Sequence, residues 1–187
     1  MTGWDCTAWL YRLRGVGPWR RIHRAELAAC RRLLDEVPPA GPVLDLGAGQ
    51  GGARSLIPDE IPVIALDRSL AMLRAGHATS TLPIQGDALK LPFSSNTFQI
   101  VLAVGLSEYV ADEAALLAEI ARVTAPGGRL LYTVSPPSLW TAMRRLLGHR
   151  LWARRAGHSV QRAEQLGWRL AGQARTLMQA QMVWVRE

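Results

Sequence analysis

Residues 43–52, VLDLGAGQGG, run from an apolar stretch straight into a glycine-rich turn. Glycines in such a turn let the backbone approach a ligand and adopt positive φ without a Cβ clash, the device by which a loop cradles a nucleotide-like molecule. Gly47, Gly49 and Gly52 satisfy G-x-G-x-x-G, while Gly47, Gly49 and Gly51 satisfy G-x-G-x-G, so spacing alone leaves a dinucleotide and other adenosine ligands both open. Asp67 lies twenty residues beyond Gly47 at the end of a second apolar run, where a carboxylate can accept both hydroxyls of an adenosine ribose. Asp45, two residues before the first glycine, would repel a pyrophosphate and attract an ammonium group. Gly86-Asp87-Ala88-Leu89 supplies a third acid, suited to accept a hydrogen bond from an adenine amino group. A nicotinamide enzyme requires neither Asp45 nor Asp87.

The elements that must carry these groups alternate along the chain. Residues 19–36 place Ile22, Leu27, Cys30, Leu33 and Leu34 near helical spacing, and Pro38-Pro39 stops that helix. Short apolar runs follow at 42–46, 62–66, 82–85, 98–104 and 129–134, bounded by turn residues, as buried parallel strands are. Between them lie helical patterns at 70–77, capped by Ser69 or Asp67, and at 113–124, capped by Asp112 and ended by Pro126-Gly127-Gly128. Strand and helix in alternation predict an α/β, doubly wound, Rossmann-like fold with a mostly parallel sheet. Trp168–Arg186 holds two strand-like runs, WRLAG and QMVWV, expected to form a C-terminal antiparallel hairpin at the sheet edge. Residues 136–162 read as a helix started by Pro137 and rich in Trp140, Arg144, Arg145, Leu146, Leu147, Trp152, Arg154 and Arg155. A single domain over 1–187 is expected, divided into a helical cover (1–40), a ligand-binding core (41–135), a basic helical insertion (136–162) and the hairpin (163–187).

On these motifs the chain resembles the class I S-adenosylmethionine-dependent methyltransferases, most closely the small-molecule branch that includes the quinone-biosynthesis C-methyltransferases. The resemblance runs from about residue 40 to residue 135, through DLGAGQG, ALD, GDALKLPFSSNTFQIVLAV and LLAEIARVTAPGGRLLYTV. It implies S-adenosyl-L-methionine as cofactor, with Asp45, Gly47 and Gly49 at its methionine part and Asp67 on the ribose hydroxyls. It places Arg68 beside the adenine, Asp87 and Ala88 at the adenine edge, and Ala103 and Val104 along the cofactor at the end of the fourth strand. The chain departs from the pattern at Phe98-Gln99, where the family usually has Phe-Asp, and at Glu108-Tyr109, where members often carry histidine. Glu108 and Tyr109 are therefore the candidate substrate-facing, catalytic groups. The implied activity is methyl transfer to a small-molecule acceptor.

Other chemistries find little support. Ser135-Pro136-Pro137-Ser138 is similar to the N-P-P-Y type motif of base methyltransferases but follows the fifth strand and lacks Asn or Asp. Cys6 and Cys30 precede the sheet and form no metal spacing, and His23, His77, His149 and His158 show none either, so no metal is expected. With Lys90 as the only lysine, lysine-based catalytic tetrads and the Tyr-x-x-x-Lys pair fail.

Hydrophobic residues make up 49% and charged residues 20% of 187, enough to bury one sizeable core. The net charge of +7 divides unevenly: +3 over residues 1–40, −3 over 41–143 and +7 over 144–187. The basic, aromatic ends, with Trp9, Tyr11, Trp19 and His23 on one side and the 136–162 segment on the other, are expected to cover an apolar or anionic acceptor. Peripheral contact with an anionic membrane surface is compatible with that composition. The basic ends with interleaved tryptophans leave an RNA-methylating or RNA-binding protein as one alternative, although nucleic acid is not the expected partner in a chain this short, and a non-catalytic adenosine-ligand binding module is the other. No apolar run reaches the roughly 18 residues of a spanning helix, and nothing at the N-terminus reads as a signal peptide, so a cytoplasmic setting is expected.

Overall fold

The computed structural model describes residues 17–34, 41–76, 80–146 and 150–187. Cys6, Trp9, Tyr11, Pro38-Pro39, His77, Leu147 and His149, singled out above, lie outside these residues. Helix α1 spans Gly17–Leu34, and strands β1 (Val43–Leu46), β2 (Val63–Asp67), β3 (Thr81–Gln85) and β4 (Phe98–Ala103) follow, with the short α2 (Leu70–Arg74) between β2 and β3. Helix α3 (Glu113–Val123), β5 (Thr124–Val134), α4 (Leu139–Leu146), α5 (Ala156–Glu164), β6 (Trp168–Arg175) and β7 (Ala180–Arg186) complete the chain. The seven strands form one sheet in the order β3-β2-β1-β4-β5-β7-β6, parallel up to β5 and antiparallel thereafter. The expected α/β sheet with an antiparallel hairpin at its edge is what forms.

Alternation along the strands sends side chains to two cores. Leu44, Leu46, Val101, Leu130, Tyr132 and Trp184 face one side with Leu116, Leu117 and Ile120 of α3. Val43, Val63, Ile100, Leu102, Leu131 and Val183 face the other, where Cys30 and Leu34 of α1 close over them. Leu116, Leu117, Ile120 and Val123 form the i, i+1, i+4, i+7 stripe that buries α3, and Asp112 starts this helix by accepting the Ala115 N–H at 3.0 Å. The two sheet edges differ in kind. After the buried Trp168, β6 alternates exposed and half-buried residues, and β3 carries Pro83, a residue suited to an edge strand because it has no N–H to offer a partner.

Two expectations need correction. Pro126-Gly127-Gly128 does not separate helix from strand: β5 already begins at Thr124, which pairs with Phe98, and the register then jumps to Ile100 opposite Arg129. The helix-end carbonyls of Arg122 and Val123 accept the Asn96 and Thr97 N–H groups, so α3 passes directly into the strand and Pro-Gly-Gly becomes a bulge. Gly128 is required there, since a Cβ would fall 2.7 Å from the Ala125 carbonyl oxygen. Nor is 136–162 one helix, for α4 and α5 are separated by non-helical residues 150–155. In that segment Trp152 N–H bonds the Glu108 carbonyl at 2.8 Å and Arg154 N–H bonds the Ser135 carbonyl at 2.9 Å, non-local bonds that replace helical ones. Arg154 adds guanidinium bonds to the carbonyls of Ser107, Val110 and Ala111, and pairs with the buried Glu113 at 3.4 Å.

Trp184 is fully buried between α3 and the sheet, with its ring 5.3 Å from that of Tyr132. Trp184→Ala should therefore lower the free energy of unfolding by about 3–5 kcal/mol, seen as a lower urea midpoint.

Candidate active site at the carboxyl edge of the sheet

β1 and β4 lie side by side, but the chain leaves β1 toward β2 and leaves β4 toward β5. This reversal opens a crevice outside the strand ends, the usual ligand site of open α/β sheets. The loops on its two sides touch: Gly47, at φ 70°, has no room for a Cβ, which would stand 2.7 Å from Cδ1 of Leu106. Gly49, at φ 55°, donates its N–H to Oδ2 of Asp67 at 2.8 Å, while Oδ1 accepts the Ser69 N–H at 2.8 Å. The glycine turn and the β2 end are thus fixed to each other through one carboxylate, and Ser69 goes on to cap α2.

Asp45 stands behind this loop, 2% exposed. Burial pushes its carboxyl up to about 7, helped by the negative charge of Asp67 and opposed by Arg54. Two acids at one buried spot favour an arriving cation. Asp87 lies one strand further along, its carboxylate accepting the Leu89 N–H at 3.0 Å and pairing with Arg68 at 3.3 Å. Ala88 packs against the core from a half-buried position, Ala103 is fully buried at the end of β4, and Val104 is half-buried beyond it. The fold brings Asp45, Gly47, Gly49 and Asp67 into one group, with Arg68 and Asp87 as an exposed pair at its flank.

Glu108 and Tyr109 occupy a 3-10 turn (Ser107–Tyr109) after β4, on the other side of the crevice. Glu108 is 2% exposed, so it is no solvated loop acid. Its Oε1 accepts Nη1 of Arg144 at 2.8 Å, and its Oε2 accepts the Ser135 hydroxyl. The same guanidinium donates to the Tyr109 hydroxyl and lies 5.7 Å from its ring centroid. Next to this cluster the Ser107 hydroxyl donates to the Thr133 carbonyl, and Thr133 Oγ1 accepts the Gly105 N–H, each at 2.7 Å. Glu108 therefore ties the turn after β4 to the end of β5 through Ser135 and to α4 through Arg144. Ser135, set aside in the sequence because its motif fits base methylation poorly, joins the cluster as a plain hydrogen-bond donor. Its position directly after a buried strand was the only signal, and the pairing of Arg144 with Glu108 across 36 residues had none.

α4 itself sits over this edge. Ser138 and Thr141 cap its start reciprocally, and Trp140 packs on Trp19 of α1, ring centroids 4.7 Å apart. The two expected covering segments thus meet. His23 approaches the glycine turn, Nε2 being 3.7 Å from the point a Gly52 Cβ would occupy, whereas His158 is exposed at the start of α5. Cys30 is buried under α1, and burial pushes its thiol up to about 12, which leaves it without nucleophilic character.

The raised Asp45 carboxyl links stability to pH. Its folded value of about 7 exceeds the ordinary 3.8, so the native state holds the extra proton and the stability this gives is lost as pH rises from about 4 through 7. Urea midpoints of the ligand-free protein should fall between about pH 5 and about pH 8, and Asp45→Asn should remove part of that fall.

Comparison with known proteins bears on this edge of the sheet. The methyltransferase-domain family matches residues 44–132. The demethylmenaquinone methyltransferase of Mycobacterium marinum is 39% identical over 115 residues, 60% of this chain and 46% of that protein. Its counterpart in Corynebacterium urealyticum is 46% identical over 102 residues, 54% of this chain and 44% of that protein. The matches thus span under half the length of these relatives. Among solved structures, magnesium protoporphyrin IX methyltransferase from Synechocystis PCC 6803 superposes with a TM-score of 0.78 at 18% identity, covering 98% of this chain and 96% of that one. Geranyl diphosphate C-methyltransferase from Streptomyces coelicolor gives 0.75 at 16%, covering 88% and 80%. Residues 44–132, just under half of the chain, match the methyltransferase-domain family, and the chain has the fold of these solved methyltransferases.

Proposed function

We propose that the protein transfers a methyl group from S-adenosylmethionine to a small-molecule acceptor. The observation that carries this reading is the buried Asp45 beside Asp67 at a glycine turn with positive φ. Such a site repels a pyrophosphate and suits a ligand that joins a cationic amino-acid head to a ribose. Asp45, Gly47 and Gly49 would hold the methionine part, and Asp67, whose oxygens each keep a lone pair beyond the backbone bonds, the ribose hydroxyls. Arg68, Asp87 and Ala88 would meet the adenine, with Ala103 and Val104 lining the cofactor. When bound, the cofactor supplies a methyl group on a sulfonium sulfur, which keeps the electron pair as the acceptor's nucleophile takes the carbon.

The remaining task, alignment and exclusion of water, falls to the other half of the crevice. Glu108 and Tyr109, held by Arg144, would orient the acceptor's polar group under the cover of α4 and the start of α1. The acceptor is apolar or anionic, a reading supported by the basic, tryptophan-bearing cover and by relatives named for demethylmenaquinone, magnesium protoporphyrin IX and geranyl diphosphate. Cytoplasmic residence and peripheral contact with an anionic membrane belong to the same proposal. Among the described residues, no helix is long and apolar enough to cross a membrane.

Thermal-shift titration should reveal stabilisation by S-adenosylmethionine and by its demethylated product, and none by NAD; equal stabilisation by NAD would refute the cofactor assignment. Asp67→Ala should weaken the cofactor at least about tenfold, since charge-assisted hydrogen bonds of about 1.5–3 kcal/mol each are lost. Tyr109→Phe and Glu108→Gln should lower kcat for the acceptor while leaving cofactor affinity within about twofold. If both variants turn over normally, the cluster is only structural.

A further inference from the structure

The helix over the acceptor side of the crevice is turned inside out. In a globular protein the apolar stripe of a surface helix faces the core and its polar residues face water. α4 does the reverse: Thr141 and Arg144 are buried at 3% and 8% exposure, while Leu139 and Leu146 stand 90% and 88% exposed with Met143 between them at 42%. Positions 139, 143 and 146 are the i, i+4, i+7 stripe of one face. The buried face is satisfied by Glu108, Tyr109 and Ser138, so α4 is anchored by polar bonds, and the outer apolar stripe contributes nothing to holding it.

The sequence on either side of the stripe carries one sign of charge. From residue 136 to residue 163 the sequence has six arginines and no Asp or Glu. Arg145, Arg150 and Arg155 are exposed, and Trp152 lies 39% exposed beside them. Trp19, 40% exposed, stacks on Trp140 at the other end of the same surface. An exposed apolar stripe in a segment of exposed arginines and amphipathic rings matches the boundary of an anionic lipid layer: the leucines and methionine enter the acyl region, tryptophan sits at headgroup depth, and arginine meets phosphate.

We propose that α4 is an interfacial lid: its outer face seats in an anionic lipid surface while its inner face, through Arg144, fixes Glu108 and Tyr109 at the acceptor side. The proposal rests on the reading of the acceptor as an apolar small molecule and names the surface from which such a molecule is taken. A lid seated in lipid gives an apolar acceptor a path into the crevice that avoids water. The fold carries two contacts on one short helix, so lipid seating and the geometry of Tyr109 are coupled through Arg144.

Vesicle co-sedimentation tests this with neither cofactor nor acceptor present, so failure of the methyl-transfer reading leaves its outcome readable. Wild-type protein should bind vesicles of phosphatidylcholine with phosphatidylglycerol more tightly than vesicles of phosphatidylcholine alone, and less tightly as salt rises. Leu139→Glu with Leu146→Glu should weaken vesicle binding at least about tenfold while leaving the thermal midpoint and cofactor-induced shift unchanged, because both side chains are exposed. Arg150→Glu with Arg155→Glu should weaken it and flatten its salt dependence. Absence of vesicle binding by the wild type, or undiminished binding by the leucine variant, would overturn the proposal. A concentration-dependent dimer that the leucine substitutions dissociate would overturn it too, by giving the face to a second copy.

Discussion

Everything at the carboxyl edge of this sheet is arranged around a carboxylate that has been taken out of water. Asp45 is placed by a strand buried along its whole length, and burial together with Asp67 holds its carboxyl near 7. The glycine turn cannot relax away from it, because Gly47 is wedged against Leu106 and Gly49 is tied to Asp67. Removing a carboxylate from water costs folding free energy, and a like charge nearby raises that cost. A ligand that brings positive charge to this place lowers the cost, so its binding is favoured.

The turn after β4, across the crevice, solves the opposite problem by internal pairing. Glu108 is as buried as Asp45, yet its two oxygens are satisfied by Arg144 and Ser135. Glu113, one turn away in the sequence, is likewise surrounded, by Tyr132, Ser159, Arg154 and Arg162. Buried charges paired in this manner stabilise weakly overall, but breaking one side is costly, so they fix position more than they add stability. Arg144 and Arg154 thereby act as struts from the 139–155 region to the turn after β4.

The two halves differ in how far they share the family's sequence. The match to the methyltransferase domain covers 44–132 and so contains Asp45, Asp67, Asp87 and the glycine turn. Ser135, Arg144 and the exposed stripe of α4 fall after it. Segments at the strand ends can vary without disturbing the sheet.

Much of the glycine turn and its neighbouring strand ends was legible in the sequence because its signals are local. A glycine turn must follow its strand directly, Asp67 must end the next one, and strand periodicity is read within a few residues. The alternation of strand and helix sufficed for the fold class, and the hairpin was visible as two apolar runs. Tertiary structure decided the rest. The burial of Glu108, its pairing with Arg144 and the role of Ser135 depend on segments brought together only by folding. The break between α4 and α5 depends on carbonyls of Glu108 and Ser135 that capture the backbone of residues 152 and 154. The start of β5 at Thr124, ahead of Pro-Gly-Gly, depends on the strand beside it, which pairs Phe98 with Thr124. Which face of α4 turns outward was likewise beyond the sequence, for a polar stripe and an apolar stripe are symmetric until a buried carboxylate chooses the arginine.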